Sequence, residues 1–141
     1  MSIVAKSVIV SVEHNIMKSG TSLLRLRQRI LFGKAIAIGP GKAELLERII
    51  ATGSISAASR QMGMSYRRAW LLVDTMNQCF SSPLIETAAG GSGGGGARIT
   101  PLGERVLALY RQIEEKTAAA VADELSELSA LLASSPPSSP H

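Results

Sequence analysis

A mainly α chain with a small β component follows from three features of the sequence. Apolar residues recur at helical spacing in three successive stretches between residues 41 and 80. A glycine-rich run, residues 89–96, separates two short segments of β character. A last apolar stripe then extends over roughly thirty residues from Pro101. With 141 residues, the chain has room for one domain with extensions, but not for two large ones.

Residues 1–22 read as a leader with no structure or function assigned, although the alternation from Ile3 to Val12 fits a strand. From Leu23 the pattern sharpens. Leu24, Leu26, Ile30 and Phe32 interleave with Arg25, Arg27 and Arg29, a period of two that predicts a strand with one basic face. Its apolar face needs a partner, either Ala35 to Ile38 or the later hairpin. Gly39-Pro40-Gly41 breaks the strand, and Pro40 suits the start of a helix over about 41–52, with Leu45, Leu46, Ile49 and Ile50 inward and Thr52-Gly53 at its end.

The next two helices, about 54–62 and 65–80, are the centre of the chain. Ile55, Ala58 and Met62 mark the apolar side of the first, and Gly63 turns the chain sharply. Ser65 is a good N-cap for the second, whose apolar side carries Ala69, Leu72, Val73, Met76 and Phe80. Trp70 is assigned mainly to the core, with its indole N–H still able to reach a phosphate, and Cys79 reads as a small buried apolar residue. A small residue at the helix crossing, a turn residue that tolerates positive φ four positions later, and a polar start to the second helix are the needs of a helix-turn-helix. Ser59, Gly63 and the group Ser65, Tyr66, Arg67 and Arg68 meet them in order. Such a start suits a DNA major groove. Arg67 or Arg68 would bond guanine or phosphate, and Ser65 and Tyr66 would donate to backbone oxygens. Ser54 and Ser56, beside their capping role, stand where free N–H groups favour a phosphate, and Arg60 adds charge to the same set. An ordinary helical hairpin with a solvated basic face is the plainer alternative.

Two short segments, Leu84 to Ala88 and Ala97 to Thr100, then flank the glycine run. Strand, flexible loop and strand directly after a helix-turn-helix predict a wing. The glycines Gly90, Gly91, Gly93, Gly94, Gly95 and Gly96 would let the backbone approach DNA closely, with Arg98 adding charge at the base of the hairpin. No Gly-Lys-Ser/Thr follows, so a nucleotide P-loop is excluded; a flexible hairpin tip remains the plainer reading.

Thr100 can cap a final helix that has Pro101 at its first position. Leu102, Val106, Leu109 and Ile113, continued by Val121, Leu125, Leu128 and Leu132, form a stripe roughly 45 Å long, more than one small domain covers. The stripe predicts dimerisation. A helix folded back on its own core, or one broken near Ala118 to Ala122, is the alternative. The expected organisation is therefore a leader at 1–22, a winged helix-turn-helix with its preceding strand at 23–100, a long C-terminal dimerisation helix at 101–133 and a Ser- and Pro-rich disordered tail at 134–141.

Charge is unevenly placed. Residues 1–70 hold 11 basic and 3 acidic side chains, net +8, while residues 71–141 hold 4 and 8, net −4. The basic half contains the helices that would meet phosphate. Cys79 is the one cysteine, and the two histidines, His14 and His141, have no carboxylate or cysteine cluster near them in sequence. These exclude an internal disulfide, a multi-cysteine zinc site and an assembled nucleophile, base and orienting group, so no enzyme is expected. No apolar run approaches a membrane span or a signal-peptide core, and a cytoplasmic location is expected.

Gly53-Ser54-Ile55-Ser56, Ser65-Tyr66-Arg67-Arg68-Ala69-Trp70, Met76-Asn77-Gln78 and the string from Ala88 to Gly96 followed by Thr100 resemble the N-terminal DNA-binding domain of the ModE family, the molybdate-dependent transcriptional regulators. The winged helix-turn-helix of LysR-type regulators is similar at a greater distance. The resemblance covers about residues 40–115. It implies a winged helix-turn-helix homodimer that binds an inverted-repeat operator in double-stranded DNA and regulates genes of molybdate uptake or molybdoenzyme function. Family members carry C-terminal molbindin-like domains that bind the oxyanion, and no such segment follows the long helix here. No cofactor or metal is expected and no molybdate site is assigned. Molybdate as an effector is implied by the resemblance alone; the chain would act without a ligand, bind one in an unfamiliar place, or rely on another chain. The competing expectation is a protein-protein adaptor, in which the helix-turn-helix is scaffold and DNA binding is non-specific.

Overall fold

The structure, a computed structural model, describes residues 24–88 and 96–138. Among these it is mainly helical, with two small two-stranded antiparallel sheets. The elements in order are β1 (Ile30–Phe32), β2 (Ala35–Ile38), α1 (Pro40–Thr52), α2 (Ile55–Gln61), α3 (Tyr66–Cys79), β3 (Ile85–Thr87), β4 (Ala97–Ile99), α4 (Pro101–Ala120) and α5 (Ala122–Ala130). The leader and the glycines Gly90, Gly91, Gly93, Gly94 and Gly95 lie outside the described residues.

Residues Arg27–Tyr110 form one compact unit. The strand expected from Leu23 is shorter than its alternation suggests. β1 holds only three residues and pairs with β2, Ile30 opposite Ile38 and Phe32 opposite Ala35, with a register irregularity between Ile30 and Leu31. A strand extends only as far as a partner satisfies its backbone, and β2 supplies four residues before Pro40 opens α1. Residues 24–29 therefore adopt no regular structure. The Tyr110 hydroxyl holds this approach segment by donating to the Gln28 carbonyl at 2.7 Å.

α1 begins with Pro40 in its first turn and ends at Gly53 in the left-handed conformation, whose N–H bonds the Ile49 carbonyl at 2.7 Å. Leu45, Leu46 and Ile49 are fully buried, each contributing about 1.5–3 kcal/mol of transfer free energy. Ile50, expected inward, is instead half exposed, one turn beyond Leu46 at the edge of the buried face. α1 packs on α2, α3, β2 and β4, so it is the element through which the unit is joined. Lys42 in its first turn is buried, 7% exposed, with Nζ donating to the Ile36 carbonyl at 2.6 Å.

The β3–β4 ribbon is tied to the helices at both ends. Asn77 on α3 accepts from the Leu84 and Ile85 amides at 2.8 and 3.2 Å and donates to the Ile85 carbonyl at 3.1 Å, fastening the start of β3. At its other end the Ala97 amide bonds the Gly53 carbonyl at 2.9 Å. Thr100 caps α4 as expected: Oγ1 accepts from the Gly103 amide at 3.0 Å and donates to the Pro83 carbonyl at 2.8 Å. Gly103, Val106 and Tyr110 then face the core.

The expected single helix from Pro101 to Ala133 is two helices. Val121, with φ −110° and ψ 16°, leaves helical geometry between α4 and α5, although its amide still bonds the Thr117 carbonyl at 3.1 Å and its carbonyl accepts from the Leu125 amide at 2.9 Å. A β-branched residue in an Ala-rich run, followed by Asp123 and Glu124, which favour a new helix N-terminus, accounts for the break. From Arg111 onward the chain belongs to a second compact unit, in which Arg111 pairs with Glu114 at 2.6 Å. Residues 131–138 form no helix or strand and are exposed.

Candidate nucleic-acid interface

The polar residues singled out in the sequence cluster around the α2–α3 turn. Ser54 caps α2, its hydroxyl accepting from the Ala57 amide at 3.0 Å. Ser56 Oγ accepts from the Arg60 guanidinium at 2.8 Å, which lays Arg60 back along its own exposed helix face. Ser59 is buried and donates to the Ser56 carbonyl at 2.7 Å, so the small side chain expected at the helix crossing is there and satisfied. Gly63 has φ +66°, the left-handed turn that only glycine enters without strain, and Met64 closes the turn by bonding the Ser59 carbonyl at 3.0 Å.

Ser65 then caps α3, accepting from the Arg68 amide at 3.1 Å. Ala69, Val73 and Met76 turn inward, which leaves Tyr66, Arg67 and Arg68 exposed on the first turn. Neither arginine has an ion-pair partner among the described residues, and the first acid along α3 is Asp74, which accepts from Gln78 at 2.9 Å. Lys42 is held below the ordinary lysine value of 10.5 mainly by burial, with Cys79 acting in the opposite sense and the charge of Arg68 adding a smaller push downward. At the start of α3, Arg67 and Arg68 present two positive charges to solvent with no ion-pair partner among the described residues.

Trp70 corrects an expectation. Instead of locking α3 in the core it is 36% exposed, and its ring meets that of Tyr66, one turn earlier, edge to face with centroids 6.1 Å apart. Position decides this: Ala69, Val73 and Met76 already fill the inward stripe, and Trp70 falls one residue beyond it. Leu71 beside it is 59% exposed. Phe80 and Cys79, expected inside, are only partly buried at the end of α3.

Tyr66 and Trp70 form one wall of a groove of about 230 Å³, whose other walls are Ser54, Ile55 and Ser56 at the start of α2 and Thr87, Ala88, Gly96 and Ala97 of the ribbon. Ser54, Ser56, Tyr66 and Gly96 are thus brought together, while Arg67 and Arg68 are outside its lining. Arg98 is not directed there either; it is exposed and pairs across the ribbon with Glu86 at 3.0 Å, its register partner. Trp70, Thr87 and Ala88 are members that residue patterning missed. The exposure of Trp70 was readable from the helical spacing of its neighbours, whereas Thr87 and Ala88 enter only because Asn77 and Gly53 dock the ribbon.

Of the stripe assigned to dimerisation, Val106 is 8% exposed and Leu102 is packed against the same core, so both serve the fold of their own chain. Leu109, Ile113 and Leu128 are exposed and Leu125 is half-buried. No helix among the described residues is long and apolar enough to cross a membrane. No three acids, histidines or cysteines among them gather as a metal site.

No family profile matches the chain. Over 113 residues it is 38% identical to the transcriptional regulator ModE of Yersinia pestis, a match covering 78% of this chain and 41% of that protein. Over 104 residues it is 36% identical to the DNA-binding transcriptional dual regulator ModE of Escherichia coli (strain K12), covering 72% of this chain and 37% of the relative. It is 47% identical over 77 residues to the molybdenum-pterin-binding protein MopB of Rhodobacter capsulatus, covering 55% and 28%. The chain spans between 28% and 41% of the length of these relatives. The similarity supports the ModE resemblance, and the relatives are regulators and molybdenum-binding proteins rather than enzymes.

Proposed function

We propose that the chain is a sequence-specific DNA-binding transcriptional regulator of molybdate-transport or molybdoenzyme genes. It works in the cytoplasm as a homodimer of winged helix-turn-helix domains. α2, the Gly63 turn and α3 act as the helix-turn-helix, the β3–β4 ribbon with its glycine run as the wing, and the exposed residues of α4 and α5 as the dimer contact. The observation that carries the reading is the start of α3, where Arg67 and Arg68 stand exposed with no ion-pair partner among the described residues and Tyr66 lines the groove beside the ribbon. The names and identities of the ModE relatives support the same reading.

In this mechanism the first turn of α3 enters a major groove. Arg67 and Arg68 bond guanine or phosphate, Ser65 and Tyr66 meet backbone oxygens, and Arg60, Ser54 and Ser56 face phosphate from α2 and its cap. The glycines of the wing approach the flanking backbone, with Arg98 released from Glu86 to join them. Two protomers repeat these contacts on the two halves of an inverted repeat. Molybdate is the effector the family implies. Among the described residues every buried side-chain nitrogen and oxygen already has a hydrogen-bond partner, so no oxyanion cradle is assigned to them.

The test is binding to duplex DNA from upstream of the chain's own gene and of molybdate-transport genes, against scrambled duplex, with salt varied and with and without molybdate. A salt-sensitive, sequence-selective complex is expected. A complex indifferent to molybdate places sensing outside these residues, and one that responds requires an oxyanion site on them. Equal affinity for every duplex at every salt concentration overturns the reading in favour of the adaptor.

A further inference from the structure

We infer that the rings of Tyr66 and Trp70 form an apolar reader of base edges, specific for the C5-methyl group of thymine, while the Tyr66 hydroxyl keeps the backbone contact proposed above. The inference rests on the DNA-binding reading above and adds to it the chemical feature that α3 discriminates. The two rings are one turn apart and face solvent, Tyr66 52% and Trp70 36% exposed, and their edge-to-face contact at 6.1 Å and 79° fixes both. A rigid aromatic pair left in water is unneeded by the fold, because Ala69, Val73 and Met76 supply the inward stripe of α3.

The occupant follows from what surrounds the rings. Arg67 and Arg68 neighbour them on α3, and Arg60 is held by Ser56, a residue of the facing groove wall, so the partner is polyanionic. Ser54 and Ser56 accept from the Ala57 amide and from Arg60 within the chain, their O–H groups remain donors for phosphate oxygens, and the two rings are the apolar part of the groove. A duplex offers one apolar feature on a base edge in the major groove, the thymine methyl. Arginines on the phosphates or a guanine, with an aromatic pair on thymine methyls, make a complete division of labour along the exposed side of α3. Asp74 marks the end of that surface, since a carboxylate there is repelled by phosphate.

The experiment uses the full chain and the tightest-binding sequence recovered from a random duplex pool. Each thymine is replaced in turn by deoxyuridine, which removes the methyl and nothing else. Trp70 is the one tryptophan, so its fluorescence reports on this surface alone. The expected result is a loss of about fourfold in affinity at one or two positions, the worth of one buried methyl group, with smaller quenching of Trp70. In Trp70→Ala and Tyr66→Ala the thymine and deoxyuridine duplexes then bind alike, while Arg67→Ala weakens both equally. Trp70 is 36% exposed, so Trp70→Phe, which keeps a ring in place, is carried alongside Trp70→Ala to separate lost methyl contact from lost stability. The inference is overturned if the parent binds both duplexes alike, if the ring variants keep the full deoxyuridine loss, or if they change self-association in place of methyl dependence. In each of these cases the DNA-binding reading stands; failure to recover any selective duplex from the pool removes both.

Discussion

At Gly103 a hydrogen in place of a side chain lets α4 lie against the ribbon. A Cβ built there would come within 2.4 Å of the Leu84 carbonyl oxygen and 2.5 Å of Ile99 Cγ1. That carbonyl also accepts the Thr100 amide at 2.8 Å, so it cannot retreat without breaking the cap region of α4. Gly103→Ala is expected to destabilise the fold by about 1–3 kcal/mol in urea unfolding, and parent-like stability would show that the ribbon yields freely. Lys42 makes a different claim. Burial lowers its pKa below 10.5 in the folded chain, so between the folded value and 10.5 the unfolded chain binds more protons. Its contribution is greatest above 10.5 and is lost as pH falls through the lowered value. Compared with Lys42→Met, the parent should therefore gain relative stability as pH rises toward 10.5, measured by paired denaturation curves. A difference that does not change with pH would mean that the ammonium is effectively solvated.

The three central helices lie within about two residues of their sequence-derived bounds because their signals are local. Ser54, Ser65 and Thr100 all cap, Pro40 opens α1 and Gly63 turns the chain. The strands were less legible, since β1 stops where β2 stops supplying partners, and alternation in Leu24 to Arg29 says nothing of that. The last stripe was legible as apolar but not in its destination. Leu102 and Val106 bury against the core while Leu109 and Ile113 remain exposed on the next turns of α4. If these exposed residues are the dimer contact, Leu109→Arg with Ile113→Glu should turn a dimer into a monomer by sedimentation and lower affinity for an inverted repeat by well over tenfold, with the helical content kept. A dimer that survives the double substitution would move the contact elsewhere.

Across the whole molecule the charge division, net +8 in residues 1–70 and −4 in residues 71–141, sets what the proposed DNA binding should show. Removing one side chain that neutralises a phosphate lowers the slope of log affinity against log salt by about 0.9, and in a dimer every substitution acts twice. Arg68→Ala is then expected to reduce the slope by about 2 and to weaken scrambled and selected duplexes alike. Arg67→Ala, if it reads a base, should instead cost about 1–3 kcal/mol on the selected duplex alone. Identical salt slopes for the parent and both variants would remove these arginines from the interface.

Neighbours along the chain are enough to dictate the three central helices, the turn at Gly63, the caps and the basic start of α3. These depend on backbone sterics and on hydrogen bonds spanning three or four residues, so a short window contains both partners. Which apolar residues the core admits is instead a matter of packing in three dimensions. Trp70 stayed in solvent because the inward stripe of α3 was already filled, and Val106 went inside because Gly103 brought α4 close enough to reach it. Asn77 became the clasp on Leu84 and Ile85, across the turn that follows α3. The groove exists only because that clasp and the Gly53 to Ala97 bond set the ribbon beside α2 and α3, a placement made by hydrogen bonds between residues as many as 44 positions apart.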